Sequence, residues 1–506
     1  MKKLTYSAII ITILLLLSKV LGLFREIVLA DKFGASSVVD AYTIAISLPS
    51  VIFTVFASGF SNSYIPTYSR VDKSKKDDFF NITITVLTLV SLFFSFVCFY
   101  FSELIVKVIA PGFRFEDYQM TVSFVRIISC IFPFMTVFNI LSCQSQVKEH
   151  FIFVSFCDYI VINLVVIFSI YLAALLNTNI LIYGYVFSMI LATVLMGFYA
   201  KKYIINSYHF SIDVKNSDFY NLVKLAIPLG LSLVVNQLNA VVDKMFSSSM
   251  GEGITSALSY ANRIQLIPFS LAVSVVLTVF YPRISHCFAY GNMDEGVKYL
   301  KESSLLALFI GIPVVGALCF FSEPVVRILF ERGAFDAAAT AVTSRCLLFY
   351  SIGIPFYSLR EIASKALAAN TQQKAILKNT IITFIFNIVL DCIFVQILGY
   401  RGLALATSIS GLISFLLMYR DLTKQGIMIF DKHLVINTSK IFVDTVLCVL
   451  LGLFIFNRMA GIMSSNISIV ITMVFSGLLY ILVGYILKIS VANQICIKTK
   501  SFINRR

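Results

Sequence analysis

Long apolar stretches with almost no charge recur along the whole chain, and they restrict its fold more than any other feature. A helix needs about 20 apolar residues to cross a hydrocarbon core of roughly 30 Å. Runs of that kind occupy approximately 7–24, 41–65, 81–101, 121–143, 151–175, 179–200, 221–242, 260–281, 302–321, 342–364, 377–398, 401–419, 439–457 and 466–487. Alternating ten-residue patterns are absent from the sequence, which leaves helices as the spanning elements that satisfy their own backbone groups in lipid. Composition agrees: of 506 residues 59% are hydrophobic and only 13% are charged, against about a quarter charged in soluble domains. The mean hydropathy is +0.91. The expected fold class is all-α, a polytopic membrane protein of about 14 transmembrane helices.

Met1-Lys2-Lys3 and the apolar run to Leu17 imitate a secretory signal. No small-x-small cleavage site closes the run and further spans follow, so it reads as an uncleaved first helix.

The net charge of +14 has the distribution expected of cytoplasmic loops rather than of a nucleic-acid surface. With the N-terminus placed in the cytoplasm, inside segments hold 27 of the 40 basic residues. Among them are the Arg70 to Lys76 cluster, Lys201, Lys202, Arg360, Lys365, Arg420, Lys424 and the tail from Lys488 to Arg506. This bias predicts an inner-membrane, multi-pass protein with both termini cytoplasmic. No nucleic-acid partner is expected. The cysteines (Cys98, Cys130, Cys157, Cys319, Cys392 and Cys448 among them) are scattered singly, and His150, His209, His286 and His433 lie far apart. Such spacing suits apolar filler better than a zinc site or a disulfide framework.

A faint internal repeat is present. Gly34-Ala35-Ser36, Asp40-Ala41-Tyr42, Leu48-Pro49 and Tyr64-Ile65-Pro66 recur in kind around Gly251 to Ser256, Ala257, Tyr260, Pro268 and Tyr281-Pro282. The offset corresponds to six spans, so the halves would be parallel repeats related by an axis along the membrane normal. Two pseudo-symmetric six-helix lobes are expected, 1–220 and 221–420, with 421–506 adding helices 13 and 14 and a cytoplasmic tail.

Ionisable residues inside spans cost about 2.5–3.5 kcal/mol at a helix centre and therefore face partners or cavities. The first helical pair holds Lys19, Arg25, Glu26, Asp31 and Asp40. Lys19 and Glu26 share a helix face, and Ser18 and Gly22 permit close packing. Asn262-Arg263-Ile264-Gln265 opens helix 8 at the corresponding place in the repeat. Arg25 and Arg263 would hold phosphate oxygens, for which the guanidinium fork is suited; the same residues would also serve as interfacial anchors or internal ion pairs. Asn387 and Asp391 lie one turn apart in helix 11, Asp243 ends helix 7 and Thr407 lies in helix 12. Their oxygens suit a hard cation or an interhelical hydrogen-bond network. No phosphate loop, nucleophile elbow or H-E-x-x-H pair occurs, and the soluble segments are too short for a catalytic domain. An enzyme is not expected.

The stretch Ser18-Lys19-Val20-Leu21-Gly22-Leu23-Phe24-Arg25-Glu26, with Phe33-Gly34-Ala35 and Asp40-Ala41-Tyr42, resembles the start of the MurJ (MviN) lipid II flippases of the multidrug/oligosaccharidyl-lipid/polysaccharide exporter superfamily. So do Asn236-Gln237-Leu238-Asn239 with Asp243, and Ser256-Ala257-Leu258-Ser259-Tyr260-Ala261-Asn262-Arg263. Leu329-Phe330-Glu331-Arg332-Gly333-Ala334-Phe335 and Gly402-Leu403-Ala404-Leu405-Ala406-Thr407-Ser408 extend the likeness through helix 12. The resemblance implies an alternating-access flippase carrying undecaprenyl-diphosphate-linked peptidoglycan precursor (lipid II) from the inner to the outer leaflet. It further implies a substrate site at Lys19, Arg25, Asp40 and Arg263. Sodium, the one ion implied, would sit at Asp243, Asn387, Asp391 and Thr407. Helices 13 and 14 would form a groove for the lipid tail. Membrane lipids and cell-wall synthesis proteins are the partners it suggests. The chain departs from the family pattern where paired arginines and a glutamate are usual early in helix 2, reading Phe53-Thr54 and Ser58, and again at Asn262 and Leu266. The alternatives are a flippase for another polyprenyl-diphosphate-linked oligosaccharide and a cation-coupled drug antiporter; a non-transporting scaffold fits the intramembrane charges poorly.

Overall fold

The computed structural model describes residues 2–53, 59–459 and 465–494, and among them there is helix and no strand. Two compact units form, 1–256 with 332–336, and 257–331 with 337–506. The first contains α1 (Lys2–Phe33), α2 (Ser37–Phe53), α3 (Phe60–Arg70), α4 (Lys76–Tyr100), α5 (Ser102–Ile109), α6 (Phe115–Ser129), α7 (Phe132–Val147), α8 (Phe151–Phe156), α9 (Ile162–Leu175), α10 (Ile180–Tyr203) and α11 (Ser217–Ser248). A π-turn, Cys157–Val161, joins α8 to α9 without a break. The second unit follows from α12 (Ile254–Val279) through α13 (Tyr281–Ala289), α14 (Met293–Phe330), α15 (Ala337–Ser351), α16 (Ile354–Ala369), α17 (Gln373–Leu398), α18 (Tyr400–Thr423), α19 (Lys432–Met459) and α20 (Ser465–Ile486). Packing places α11 with the first unit, whereas the repeat in the sequence would begin a new lobe there; one division follows contact and the other follows duplication.

Each of the fourteen apolar runs falls on a helix or helix pair. Eight helices among the described residues are long and apolar enough to cross a membrane, and ten spans result if each of two bent pairs counts as one. The bent pairs are α6 with α7 (40°) and α15 with α16 (43°). Both second members open with proline in the first turn, at Pro133 and Pro355, where the missing N–H costs nothing. The remaining four runs, at 7–24, 41–65, 221–242 and 260–281, lie outside those ten. Residues 54–58, with Thr54 and Ser58, fall outside the described residues.

Helix breaks have local causes. The long α14 loses helical geometry at Phe321 (φ −113°, ψ 17°), three residues before Pro324; the proline ring clashes with the carbonyl of Phe320 and supplies no N–H to it. The Asn216 side chain accepts from the N–H groups of Asp218 and Phe219 and so caps α11.

In the first unit α1 packs on α9, α4 on α7, and α10 on both α9 and α7, around the wholly buried Phe79, Phe124, Ile128, Ile170, Leu181 and Ile182. In the second, α14, α16, α18 and α19 share a core that includes Leu300, Ala307, Leu359, Ala363, Phe415 and Ile441. Outward faces are apolar as well: Phe93, Phe96, Phe168, Phe198, Phe442, Phe454 and Leu478 are exposed. Exposed apolar surface on that scale is what a lipid solvent accommodates and water does not.

Candidate functional site

The first unit contains an open cavity of about 530 Å³. Arg25 of α1 reaches it, together with Ser61 and Asn62 of α3, Asn139, Ser142 and Gln146 of α7, and Tyr185 and Ser188 of α10. Amides and hydroxyls thus dominate its polar wall. Arg25 is fixed there by two bonds, Nη2 to Glu26 Oε1 at 2.9 Å and Nη1 to Asn163 Oδ1 at 3.4 Å. A guanidinium has five donors, so these two acceptors orient it without exhausting it. Its remaining donors suit the oxygens of a phosphate, which a planar fork holds well.

The π-turn shapes the opposite chemistry. Ile162 N–H bonds back to Cys157 O, five residues earlier. In a regular α-helix Asp158 and Asn163 would point about 140° apart. Closing the turn at five residues brings them to one side, and both line the cavity. Asn163 also donates to Tyr159 O at 2.8 Å, which holds its Oδ1 toward Arg25.

The other expected substrate residues are placed differently. Lys19 is half-buried on α1 and is not among the groups lining this cavity. Asp40 is 1% exposed; its oxygens accept from Gly253 N–H at 2.7 Å and Ser256 N–H at 2.6 Å. That geometry makes Asp40 a clasp on a chain turn, with both carboxylate oxygens engaged by backbone N–H groups in this conformation. The turn it holds is crowded: Gly34, Gly253 and Gly333 all have positive φ, and a Cβ on any of them would collide with backbone of Ala334, Ala35 and Asp31 respectively. In the second unit Arg263 is exposed on α12, while the adjacent Ile264 and Gln265 turn inward, Gln265 donating to Tyr350 O at 2.9 Å.

The expected cation ligands divide between the units. Asp243, half-buried on α11, belongs to the first. Asn387, Asp391 and Thr407 belong to the second and lie on the paired helices α17 and α18. The buried residues of α17 are all polar, Asn379, Asn387 and Asp391, eight and four residues apart and therefore on one face. Asn379 donates to Asp421 Oδ2 at 2.9 Å and Asn387 to Ser410 Oγ at 3.1 Å. With its amide N–H thus directed, Asn387 leaves a buried Oδ1 that receives no hydrogen bond. Thr407 Oγ1 donates to Leu403 O at 2.9 Å, so its lone pairs remain as acceptors. An oxygen-only set with a buried acceptor lacking a donor fits an alkali cation.

Asp158 and Asn163 were not among the residues expected from sequence. Their signal was available: an aspartate inside the apolar run 151–175 is an intramembrane ionisable group, which faces a cavity or a partner by default.

Comparison with known proteins agrees with this architecture. Residues 29–487 match the family model described as "Lipid II flippase MurJ". The chain is 30% identical over 478 residues to a protein of Thermosipho africanus named "Lipid II flippase MurJ", covering 94% of this chain and 96% of that one. It is 27% identical over 445 residues to a "Probable lipid II flippase MurJ" of Rickettsia prowazekii, covering 86% and 87%. A solved structure titled "Lipid II flippase MurJ, inward closed conformation" superposes with a TM-score of 0.82 at 27% identity, covering 94% of this chain and 98% of that chain. An inward-facing multidrug transporter of the MATE family shares the fold, with a TM-score of 0.67 at 12% identity.

Proposed function

The chain belongs to the lipid II flippase MurJ family, and on that footing we propose that it carries lipid II across the bilayer, from the inner to the outer leaflet, by alternating access. The observation that supports this most directly is Arg25, a guanidinium fixed by Glu26 and Asn163 at the wall of a polar cavity within apolar helices. A diphosphate is the anion for which such a fork has the right shape and charge. Arg25 is the phosphate contact in the cavity of the first unit; Lys19, elsewhere on α1, and Arg263 in the second unit are the further candidates.

The protein is a multi-pass membrane protein; the basic residues of its loops support a place in the cytoplasmic membrane with both termini inside, the apolar runs support fourteen spans, and the sequence repeat supports two six-helix lobes plus two helices. Transport breaks no bond in the substrate, so positioning and exposure are all the helices need supply. Sodium would be held in the second unit by Asn387, Asp391 and Thr407, and in the first Asp243 is the further candidate. When bound, the ion would supply positive charge beside a buried carboxylate.

The deciding experiment is rescue of a flippase-depleted strain with lipid II exposure measured at the outer leaflet. Wild type restores exposure; Arg25→Ala inserts normally and does not. Full rescue by both Arg25→Ala and Arg263→Ala removes the anion clamp from the mechanism.

A further inference from the structure

The cavity of the first unit carries a charge that binding a diphosphate does not use. Asp158 sits on the π-turn, faces the cavity, and makes no hydrogen bond or ion pair among the described residues. Arg25, the cation lining the same cavity, is paired with Glu26 and lies beyond ion-pair distance of Asp158. Among the described residues this wall therefore has a carboxylate with no protein counterion. It lies about two turns inside the helix that begins at Phe151, roughly 10 Å along it. Asp158 is exposed to the cavity, where an intramembrane charge is accommodated and a ligand can reach it, and the π-turn that directs it there is itself a departure from regular helix. Around it stand carboxamides and hydroxyls, the partners suited to a polyhydroxylated, amide-rich headgroup.

We propose that Asp158 is a specificity-determining residue, a subsite for a primary ammonium group on the transported headgroup, with Asn163 setting its distance from the anion-binding Arg25. The cavity thereby reads opposite charges at two points, a phosphate oxygen at Arg25 and an amine at Asp158. This rests on the flippase reading and deepens it: lipids whose headgroup presents a free amine are preferred over those in which it is blocked.

The test uses the full-length protein in nanodiscs and two probes, lipid II with a free peptide amine and the same lipid with that amine acetylated. Wild type binds the free-amine lipid about tenfold more tightly, the scale of one charge-assisted hydrogen bond. Asp158→Asn abolishes the preference and leaves binding of the acetylated lipid within about twofold. Asp158→Glu, which keeps the charge, keeps most of the preference and guards against a fold defect. Equal loss of both probes in Asp158→Asn, or no loss of either, overturns the subsite. So does an effect that vanishes when sodium is exchanged for a bulky organic cation, since the carboxylate would then serve an alkali ion. Failure of wild type to bind either lipid sinks the flippase reading itself, whereas wild-type binding without discrimination sinks only this inference.

Discussion

Arg25 and Asp40 show two ways for a helix inside lipid to carry charge. Arg25 keeps part of its donor set open to a cavity, while Asp40 gives both oxygens to backbone N–H groups. Their variants should therefore fail differently. Arg25→Lys keeps the charge and loses the fork, and should retain partial transport where Arg25→Ala retains none, with thermal stability in detergent little changed. Asp40→Asn turns two charge-assisted bonds into neutral ones and directs an amide at the same N–H groups. We expect it to lower stability by about 2–3 kcal/mol, read as a reduced unfolding temperature, before any defect in binding lipid II is measured. Normal stability with lost binding would instead restore Asp40 to the substrate site. Asn387→Leu removes a buried acceptor that receives no hydrogen bond together with the bond to Ser410; it should abolish any stabilisation by sodium over potassium and cost about 1 kcal/mol in the absence of sodium.

Among the helices, α17 reverses the pattern of a soluble one. It buries Asn379, Asn387 and Asp391 and exposes Ile385, Phe386, Val389, Ile393 and Ile397. Its polar face meets α18 through Asp421 and Ser410, as expected where lipid supplies no hydrophobic drive between helices. At α19 the start is set by Asp431, which accepts from Leu434 N–H at 2.7 Å and pairs with Lys301 at 2.8 Å. The bond from Lys301, then that from Leu434, holds the Asp431 carboxyl below the usual carboxylate range. A carboxyl with a folded pKa below its unfolded one contributes stability that is complete above about pH 4 and fades as pH falls through the folded value. The pair is partly exposed, so the loss should not exceed about 1 kcal/mol; Asp431→Asn should flatten the acid side of the stability profile by that amount. The turn at Gly333 is stricter. Its φ of +54° and the backbone of Asp31 facing its missing Cβ should make Gly333→Ala cost about 1–3 kcal/mol, measured by thermal unfolding.

Over the whole chain, the basic loops make a topological prediction. In a background with the native cysteines replaced, Ser211→Cys beside Lys201, Lys202 and Lys215 should react only from the cytoplasmic side. Asn177→Cys, in the turn between α9 and α10, should react from outside. The reverse result would invert the orientation and every later loop with it. The helical class was legible in sequence because hydropathy acts through composition: each apolar run falls on a helix or helix pair, and ten of the runs fall on spans long and apolar enough to cross a membrane, whatever their packing. The candidate site was less legible. Arg25, Asn387, Asp391 and Asp40 all carried the same signal, polar residues in or beside apolar runs, and hydropathy does not tell which of them lines a cavity, as Arg25 does, and which binds backbone, as Asp40 does.

By itself the sequence determined that this protein dissolves in lipid, that it is helical, and which family it belongs to. Each of those follows from residue type and order along one dimension. Tertiary structure alone decided that Asn163 steadies Arg25, that a π-turn swings Asp158 into the same cavity, and that Asp40 binds backbone two hundred residues away. Those outcomes depend on helical phase and on which helices touch, and a shift of one residue in either changes the partner without altering the hydropathy at all.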